Sequence, residues 1–261
     1  RCSAVLPPET RFPAVVLAGG RSSPEFAAES GAEYRALVDI GGWPMVRYVL
    51  RALRTAKTIG PVILVAPSAF PPEPEADQQL AGDGDIASNL ILGMQACGSA
   101  EFAFIATADI PFLTPESVDH YVLQCLSAPG DCLYSAIPLE ACRKRFPEMR
   151  RTALQTPAGA FTGGNVVFQR VAAVERQLET LRSAHRSRKN PLFLARLIGP
   201  GNLLRFVARR LTLEQIGAAA SRVMGVDCRL VVSPYAELGA DVDKPDDLRI
   251  ARRLLRRPDC D

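Results

Sequence analysis

Two glycines and a cation follow an apolar run near the start of the chain, in the segment Leu17-Ala18-Gly19-Gly20-Arg21-Ser22. Glycine has no Cβ, so the backbone N–H groups at Gly19 and Gly20 can approach a phosphate closely. Arg21 and the Ser22 hydroxyl add a positive charge and a hydrogen-bond donor. The spacing is neither that of a P-loop nor that of a dinucleotide-binding glycine turn. The segment predicts a loop that holds a triphosphate, and the alternative is a tight strand-to-loop turn.

A second cation, Arg35, comes after this loop and before the turn at Gly41-Gly42. A cation at this position can return positive charge to the same phosphates. The alternative is an arginine that is solvated on the surface.

Acidic residues stand at two places where a metal ion could bind. Asp109 follows the apolar run 102–106 directly, and Pro111 stiffens the chain behind it. Asp241 and Asp243 point the same way if the chain is extended there, because side chains alternate along a strand. Carboxylate oxygens suit hard cations such as Mg²⁺. The pattern predicts a shared magnesium site, and the alternatives are a turn aspartate and a helix N-cap.

The elements that must position these residues follow from the hydrophobic pattern. Apolar runs typical of buried strands alternate with helical segments, and this alternation predicts a largely parallel sheet with helices on both faces. Ligands bind at the carboxyl ends of the strands in such sheets. Strands are predicted at 14–18, 61–66, 102–106, 133–137, 165–169 and 226–232. Helices are predicted at 44–56, 86–97, 115–126, 245–256 and over most of 171–224, with loops at 21–35, 67–84 and 139–160.

Composition narrows the class of protein. The chain has 261 residues, of which 48% are hydrophobic, enough for one large α/β domain with or without a small appendage. A net charge of +3, with acids and bases mixed, does not indicate a nucleic-acid partner. The seven cysteines include no C-x-x-C pair, which argues against a disulfide framework or zinc site and predicts a cytoplasmic location.

Taken together, five segments resemble the nucleotidyltransferase superfamily that includes molybdenum-cofactor guanylyltransferase, methylerythritol-phosphate cytidylyltransferase and the sugar-phosphate nucleotidylyltransferases. The resemblance covers about residues 12–170 and 225–256. Its segments, in order, are LAGGRS at 17–22, RALVDIGGWPMV at 35–46, TADIPFL at 107–113, GGNVVF at 163–168 and DVDKPDDL at 241–248. It implies a single α/β domain over 1–261 with a Rossmann-like core of the GT-A type, a mixed, mostly parallel sheet and a helical insertion at about 171–224.

The implied reaction is the transfer of a nucleoside monophosphate from an NTP to a small, phosphorylated acceptor, with Mg²⁺ as cofactor and release of pyrophosphate. The candidate catalytic residues are Arg21, Arg35 and Asp109. The residues that the resemblance assigns to the nucleotide are Leu17, Ala18, Gly19, Gly20, Arg21, Ser22, Ser88 and Asn89. The implied magnesium ligands are Asp109 with Asp243 or Asp241. The candidates for binding the acceptor are Asn165, Arg188 and Lys189.

The sequence departs from the family pattern in the first loop. That loop is longer than usual, is acidic at Glu25, Glu29 and Glu33, and lacks the family's Arg-Met-Gly, while Arg35 stands at the lysine position. One alternative is a GT-A glycosyltransferase, although the single acid of Thr107-Ala108-Asp109 is not the Asp-x-Asp of that class. The other is a non-catalytic nucleotide-binding module, against which the retained aspartates argue.

The segment 185–211 combines basic and apolar residues outside the shared core. One interpretation is a helical lid with solvated arginines. A second is a lid that grips an acceptor phosphate through Arg188 and Lys189, and a third is contact with a membrane surface or a lipid-like acceptor. The sequence indicates no oligomeric state.

Overall fold

An eight-stranded sheet forms the centre of the computed structural model, which describes residues 10–177 and 199–255. Its strand order is β10-β7-β9-β6-β1-β4-β5, with β8 paired to β9, while β2 and β3 form a separate two-stranded ribbon. The strands are β1 (Phe12–Leu17), β2 (Asp39–Ile40), β3 (Trp43–Pro44), β4 (Ile59–Ala66), β5 (Gln78–Ala81), β6 (Phe102–Thr107), β7 (Cys132–Pro138), β8 (Leu154–Thr156), β9 (Gly159–Arg170) and β10 (Cys228–Val232).

Helices connect most of these strands. They are α1 (Pro24–Ser30), α2 (Met45–Thr55), α3 (Ile86–Gln95), α4 (Pro115–Leu126), α5 (Leu139–Arg145), α6 (Pro200–Val207), α7 (Leu213–Met224) and α8 (Pro245–Leu254). Short 3₁₀ turns lie at Arg35–Leu37, Val171–Ala173 and Ala236–Gly239. None of the helices in the described ranges combines the length and the apolar character needed to cross a membrane.

The sheet is mixed and mostly parallel, which confirms the predicted α/β fold. Strands β4, β1 and β6 are parallel neighbours, and β9 is antiparallel to both β6 and β7. Successive side chains of β1 enter different apolar clusters: Val16 packs with Leu64 and α2 on one face, and Val15 packs with Ile63 and α3 on the other. Both faces are therefore covered by helices, as the continuous apolar runs predict.

Several segments that the pattern assigns to loops contain regular structure. Helix α1 lies within 21–35, strand β5 within 67–84, and α5 and β8 within 139–160, so these three predictions of loops are wrong. Strand β9 also begins six residues before the predicted 165–169. Strand β5 is a polar edge strand, so it gives no clear periodicity.

The described part of 171–224 contains α6 and α7. Thr212 and Gln215 form the predicted capping box at the start of α7. Residues 178–198, which include Arg188 and Lys189, lie outside the described residues.

The candidate site residues lie at the edge of the sheet formed by the ends of its strands. Strands β1, β4, β5 and β6 are parallel, so their carboxyl ends share that edge. Antiparallel pairing places Val166 of β9 opposite Ala106 of β6, which brings Asn165 to the same edge.

Candidate active site

A cleft of about 500 Å³ opens at the carboxyl ends of β1 and β6. It brings together the predicted glycine loop, both candidate cations and the first candidate metal ligand. The lining residues are Leu17, Ala18, Gly19, Gly20, Arg21, Arg35, Ala36, Gly84, Asp85, Ile86, Asn89, Thr107, Ala108 and Asp109.

The two glycines after β1 leave room for side chains that come from distant parts of the chain. A Cβ on Gly20 would lie 2.7 Å from Nη2 of Arg35, and one on Gly19 would lie 3.3 Å from Nδ2 of Asn89. A side chain at Gly20 would force the guanidinium to move. The glycines therefore let the loop backbone pack directly on Arg35 and Asn89, in addition to leaving the loop free of side chains toward the cleft.

The long acidic loop between Gly20 and Arg35 has its two ends joined by backbone hydrogen bonds. The N–H of Ser22 donates to the carbonyl of Glu33 at 2.8 Å, and the N–H of Arg35 donates to the carbonyl of Gly20 at 3.0 Å. Inside this loop, α1 buries Phe26 completely. Because its ends are joined, the long acidic loop brings the chain back to the glycine loop and places Arg35 beside Gly20.

The two candidate cations differ in their surroundings. The Arg21 side chain is 70% exposed, forms an ion pair with Glu33, and lies over the Tyr34 ring at 5.3 Å from its centroid. The Arg35 side chain is 28% exposed and lies between two carboxylates. Its Nη1 is 2.5 Å from Oδ1 of Asp243, and its Nη2 is 3.2 Å from Oδ2 of Asp109. Arg35 thus joins the two predicted metal ligands.

Asp109 is held at the base of the cleft. Its backbone carbonyl accepts the N–H of Val242 at 2.8 Å, which fixes the chain before Asp243 against the end of β6. Burial raises the pKa of its carboxyl group, and the Arg35 guanidinium partly opposes that effect. Oδ1 of Asp109 is buried and has no hydrogen-bond partner among the described residues.

Asp243 has a raised proton affinity as well. Burial, together with the negative charges of Asp241 and Asp109, raises its pKa to about 6 against the attraction of the Arg35 guanidinium. Asp243 and Asp109 are therefore carboxylates whose charge is incompletely neutralised by the single guanidinium between them.

This donor set fits a hard divalent cation. Two carboxylates converge on one point, and the buried Oδ1 of Asp109 is an acceptor that lacks a donor. Within the described ranges, no three His, Cys, Asp or Glu side chains gather closely enough to hold a metal by themselves. Magnesium is commonly bound by one or two carboxylates together with substrate phosphates and water. The pair would depend on a bound nucleotide for further ligands.

Asp241 is placed differently from Asp243. It forms an ion pair with the largely buried Arg151, whose Nη2 also donates to the Asp241 carbonyl at 3.0 Å. Sequence reasoning missed Arg151, because the basic bias of 143–151 does not distinguish it from its exposed neighbours. The arginine holds the chain that leads into Asp243.

Asn89 shapes one wall of the cleft. Its Nδ2 donates to the carbonyl of Gly82 at 3.1 Å, and its Oδ1 accepts the N–H of Gly84 at 3.2 Å. The amide therefore fixes the loop between β5 and α3. Ser22 and Ser88 are not among the residues that line this cleft.

Asn165 lies in an irregular part of β9, where the register with β7 shifts between Tyr134 and Ala136. The Tyr134 hydroxyl donates to the carbonyl of Gly164 at 2.6 Å, and the Ser135 hydroxyl donates to that of Val166 at 2.9 Å. These bonds hold the irregular backbone on both sides of Asn165, which is half-buried.

Comparisons with solved structures agree with this fold. A hypothetical transferase from Thermus thermophilus is 36% identical, with a TM-score of 0.81 over 92% of this chain and 100% of that chain. The CMP:2-keto-3-deoxy-manno-octonic acid synthetase solved with CTP gives 14% identity and a TM-score of 0.55, over 93% and 98% of the chains. The 2-C-methyl-D-erythritol 4-phosphate cytidylyltransferase from Thermus thermophilus gives 14% and 0.54, over 92% and 97%. No curated protein matches the chain.

The fold and the cleft thus place the chain among the nucleotidyltransferases of Rossmann-like fold. A model of the MobA-like NTP transferase domain matches residues 14–198, more than half of the chain. The chain belongs to that family, and the resemblance drawn from its five motifs is confirmed.

Proposed function

We propose that the protein transfers a nucleoside monophosphate from an NTP to a small, phosphorylated acceptor and releases pyrophosphate. The observation that carries the proposal is the convergence of Asp109 and Asp243 on Arg35, directly beside Gly20. Cation, carboxylates and glycine loop are the three parts that binding a metal-complexed triphosphate requires. The single domain over 1–261, the insertion at about 171–224 and the cytoplasmic location stay predictions.

In the proposed step an acceptor oxygen attacks the α-phosphorus of the NTP. The bond from that phosphorus to the bridging oxygen of the β-phosphate breaks, and pyrophosphate leaves with the electron pair. The N–H groups of Gly19 and Gly20 hold the triphosphate, and Arg21 and Arg35 stabilise the charge on the leaving group. A phosphorylated acceptor is already anionic, so the chain needs no general base.

The remaining site residues orient the two substrates. Asn89 fixes the wall against which the base and ribose would bind, with Ser88 on the preceding helical position. Asn165 would face the acceptor, together with Arg188 and Lys189. Asp109 and Asp243 would hold Mg²⁺, with Asp241 as the second choice beside Asp243. When bound, the metal would neutralise charge on the phosphate oxygens.

Pyrophosphate release separates this proposal from its alternatives. The assay would offer each of the four NTPs with Mg²⁺ and a panel of sugar and alditol phosphates. A glycosyltransferase would instead consume a nucleotide-sugar without releasing pyrophosphate, and a non-catalytic module would bind an NTP and release nothing. Absence of pyrophosphate with every NTP, while binding is retained, would contradict the proposal.

Helix α6 suggests a second partner, an anionic lipid surface. Leu204 and Val207 are 71% and 72% exposed, and Leu203 and Phe206 are also exposed. The surrounding segment 180–213 contains seven arginines and one lysine and no acidic residue. Exposed apolar side chains within a basic stretch of sequence suit the boundary between acyl chains and anionic headgroups.

A further inference from the structure

Arg35 is held in place by the residues that the proposed function assigns to the metal. Its backbone N–H is bound to Gly20, and the 3₁₀ turn Arg35–Leu37 begins at the same residue. Its two terminal nitrogens contact Asp243 and Asp109 at 2.5 and 3.2 Å. The guanidinium therefore occupies the space between the two carboxylates.

A divalent cation and this guanidinium compete for the same two carboxylates. Their positive charges repel each other, and the contacts between Arg35 and the two aspartates leave little room for a second cation. We propose that Arg35 is a resident counter-ion, which keeps divalent metal weakly bound until a triphosphate draws the guanidinium away. This inference rests on the proposed function, because it takes Asp109 and Asp243 as metal ligands.

Two unsatisfied atoms show that the resting arrangement is incomplete. Nε of Arg35 and Oδ1 of Asp109 are both buried and have no hydrogen-bond partner among the described residues. A buried polar atom without a partner is unfavourable. A triphosphate offers oxygens to the guanidinium, and a cation offers itself to the Asp109 oxygen, so both atoms gain a partner when nucleotide and metal bind together. Metal and nucleotide binding would then strengthen each other reciprocally.

An arginine suits this role better than a lysine does. Its planar fork reaches two carboxylates at once, whereas an ammonium is a compact point charge. The exchange at the family's lysine position would therefore change how metal and nucleotide binding are coupled, without removing the positive charge.

The test is the affinity of the full-length protein for Mn²⁺ without nucleotide, measured from the electron paramagnetic resonance signal of the free ion at pH 8. We expect Arg35→Met to bind Mn²⁺ at least tenfold more tightly than the unmodified protein. Arg35→Lys should also gain affinity, by a smaller factor, although its net charge is unchanged. Adding Asp109→Asn to Arg35→Met should abolish the gain, which places the bound ion on Asp109.

Arg47→Met is the matched control. Arg47 is also ion-paired to a buried carboxylate, Glu73, but lies outside the cleft lining, so its loss should leave Mn²⁺ affinity unchanged. Circular dichroism would establish that each variant is folded, and Arg35→Lys serves if Arg35→Met is not. Equal Mn²⁺ affinity in the unmodified protein and both folded Arg35 variants would overturn the inference. The measurement involves no turnover, so its outcome is independent of whether pyrophosphate is released.

Discussion

As pH rises through about 6, the ionisation of Asp243 should lower the free energy of unfolding of the metal-free protein. The same ionisation should strengthen its binding of Mg²⁺. Burial raises the pKa of this carboxyl group from its ordinary value of 3.8 to about 6. The folded protein therefore binds the proton more tightly than the unfolded chain does. Between these two pH values the native state carries more protons, so the free energy of unfolding falls as pH rises. The stabilising effect of the proton is fully present below about pH 4 and is lost above about pH 6.

The size of the effect follows from the two pKa values and the exposure of the side chain. A change of one in pKa corresponds to about 1.4 kcal/mol, so full burial would give a ceiling of about 3 kcal/mol. The Asp243 side chain is 42% exposed, and solvent screening reduces the interaction. We therefore expect the contribution of Asp243 to the free energy of unfolding to fall by about 1–2 kcal/mol between pH 4 and pH 7.5.

The assay is urea unfolding in the presence of EDTA, with Asp243→Asn as the reference at each pH. Other titrating groups contribute to both proteins, so the difference between their unfolding free energies isolates this position. As pH rises from 4 to 7.5, the unfolding free energy of the unmodified protein should fall relative to that of Asp243→Asn. Turnover with Mg²⁺ should show the opposite trend, because only the ionised carboxylate binds the metal. A difference that stays constant or rises with pH would refute the reasoning.

Three further predictions concern the site and helix α6. Asp109→Ala should lower pyrophosphate release at least a thousandfold while the circular dichroism spectrum stays native, because the variant removes a proposed metal ligand; near-normal turnover with Mg²⁺ would exclude that role. In steady-state kinetics, Arg35→Ala should lower kcat by a larger factor than it raises KM for the NTP, since the Arg35 charge acts mainly on the leaving group. A change in KM alone would contradict this role. The protein should co-sediment with anionic vesicles more strongly at low than at moderate salt, because charge attraction is screened. Leu204→Glu combined with Val207→Glu should weaken this binding, Leu123→Glu on α4 should not, and absence of binding at every salt concentration would leave α6 without a lipid partner.

The fold could be predicted from the sequence where buried strands are long and apolar. The runs that became β1, β4 and β6 predicted both the sheet and the edge at which ligands bind. Some of the missed elements did carry signals. Ser23, Pro24 and Gly31 mark the start and end of α1, and the buried Leu139 and Cys142 of α5 have, with Phe146 directly after it, the spacing of one helix face. Strand β5 offered no such signal, because most of its side chains are exposed at the edge of the sheet.

The sequence predicts which residues form the site, but not the ion pairs between them. The motifs predicted that Gly20, Arg35 and Asp109 would lie together, and the structure places all three in one cleft. The pattern also predicts that Asp109 and Asp243 lie together, but not the ion pair between Arg35 and Asp243, which depends on how segments 208 positions apart pack on each other. The pairing of Arg151 with Asp241 depends in the same way on the packing of distant segments.

The unusual first loop and the arginine at the lysine position are parts of one packed arrangement. Helix α1 of that loop packs on α8, and Arg249 of α8 lies 3.7 Å from Glu29 of α1. Helix α8 begins two residues after Asp243, so the inserted loop and the metal-ligand segment support each other. The loop lacks the family's Arg-Met-Gly, yet its two ends are bound together at Ser22 and Glu33 and at Gly20 and Arg35. The long first loop therefore positions Arg35 against Asp243 from one side, while α8 positions Asp243 from the other. A resident counter-ion requires this geometry.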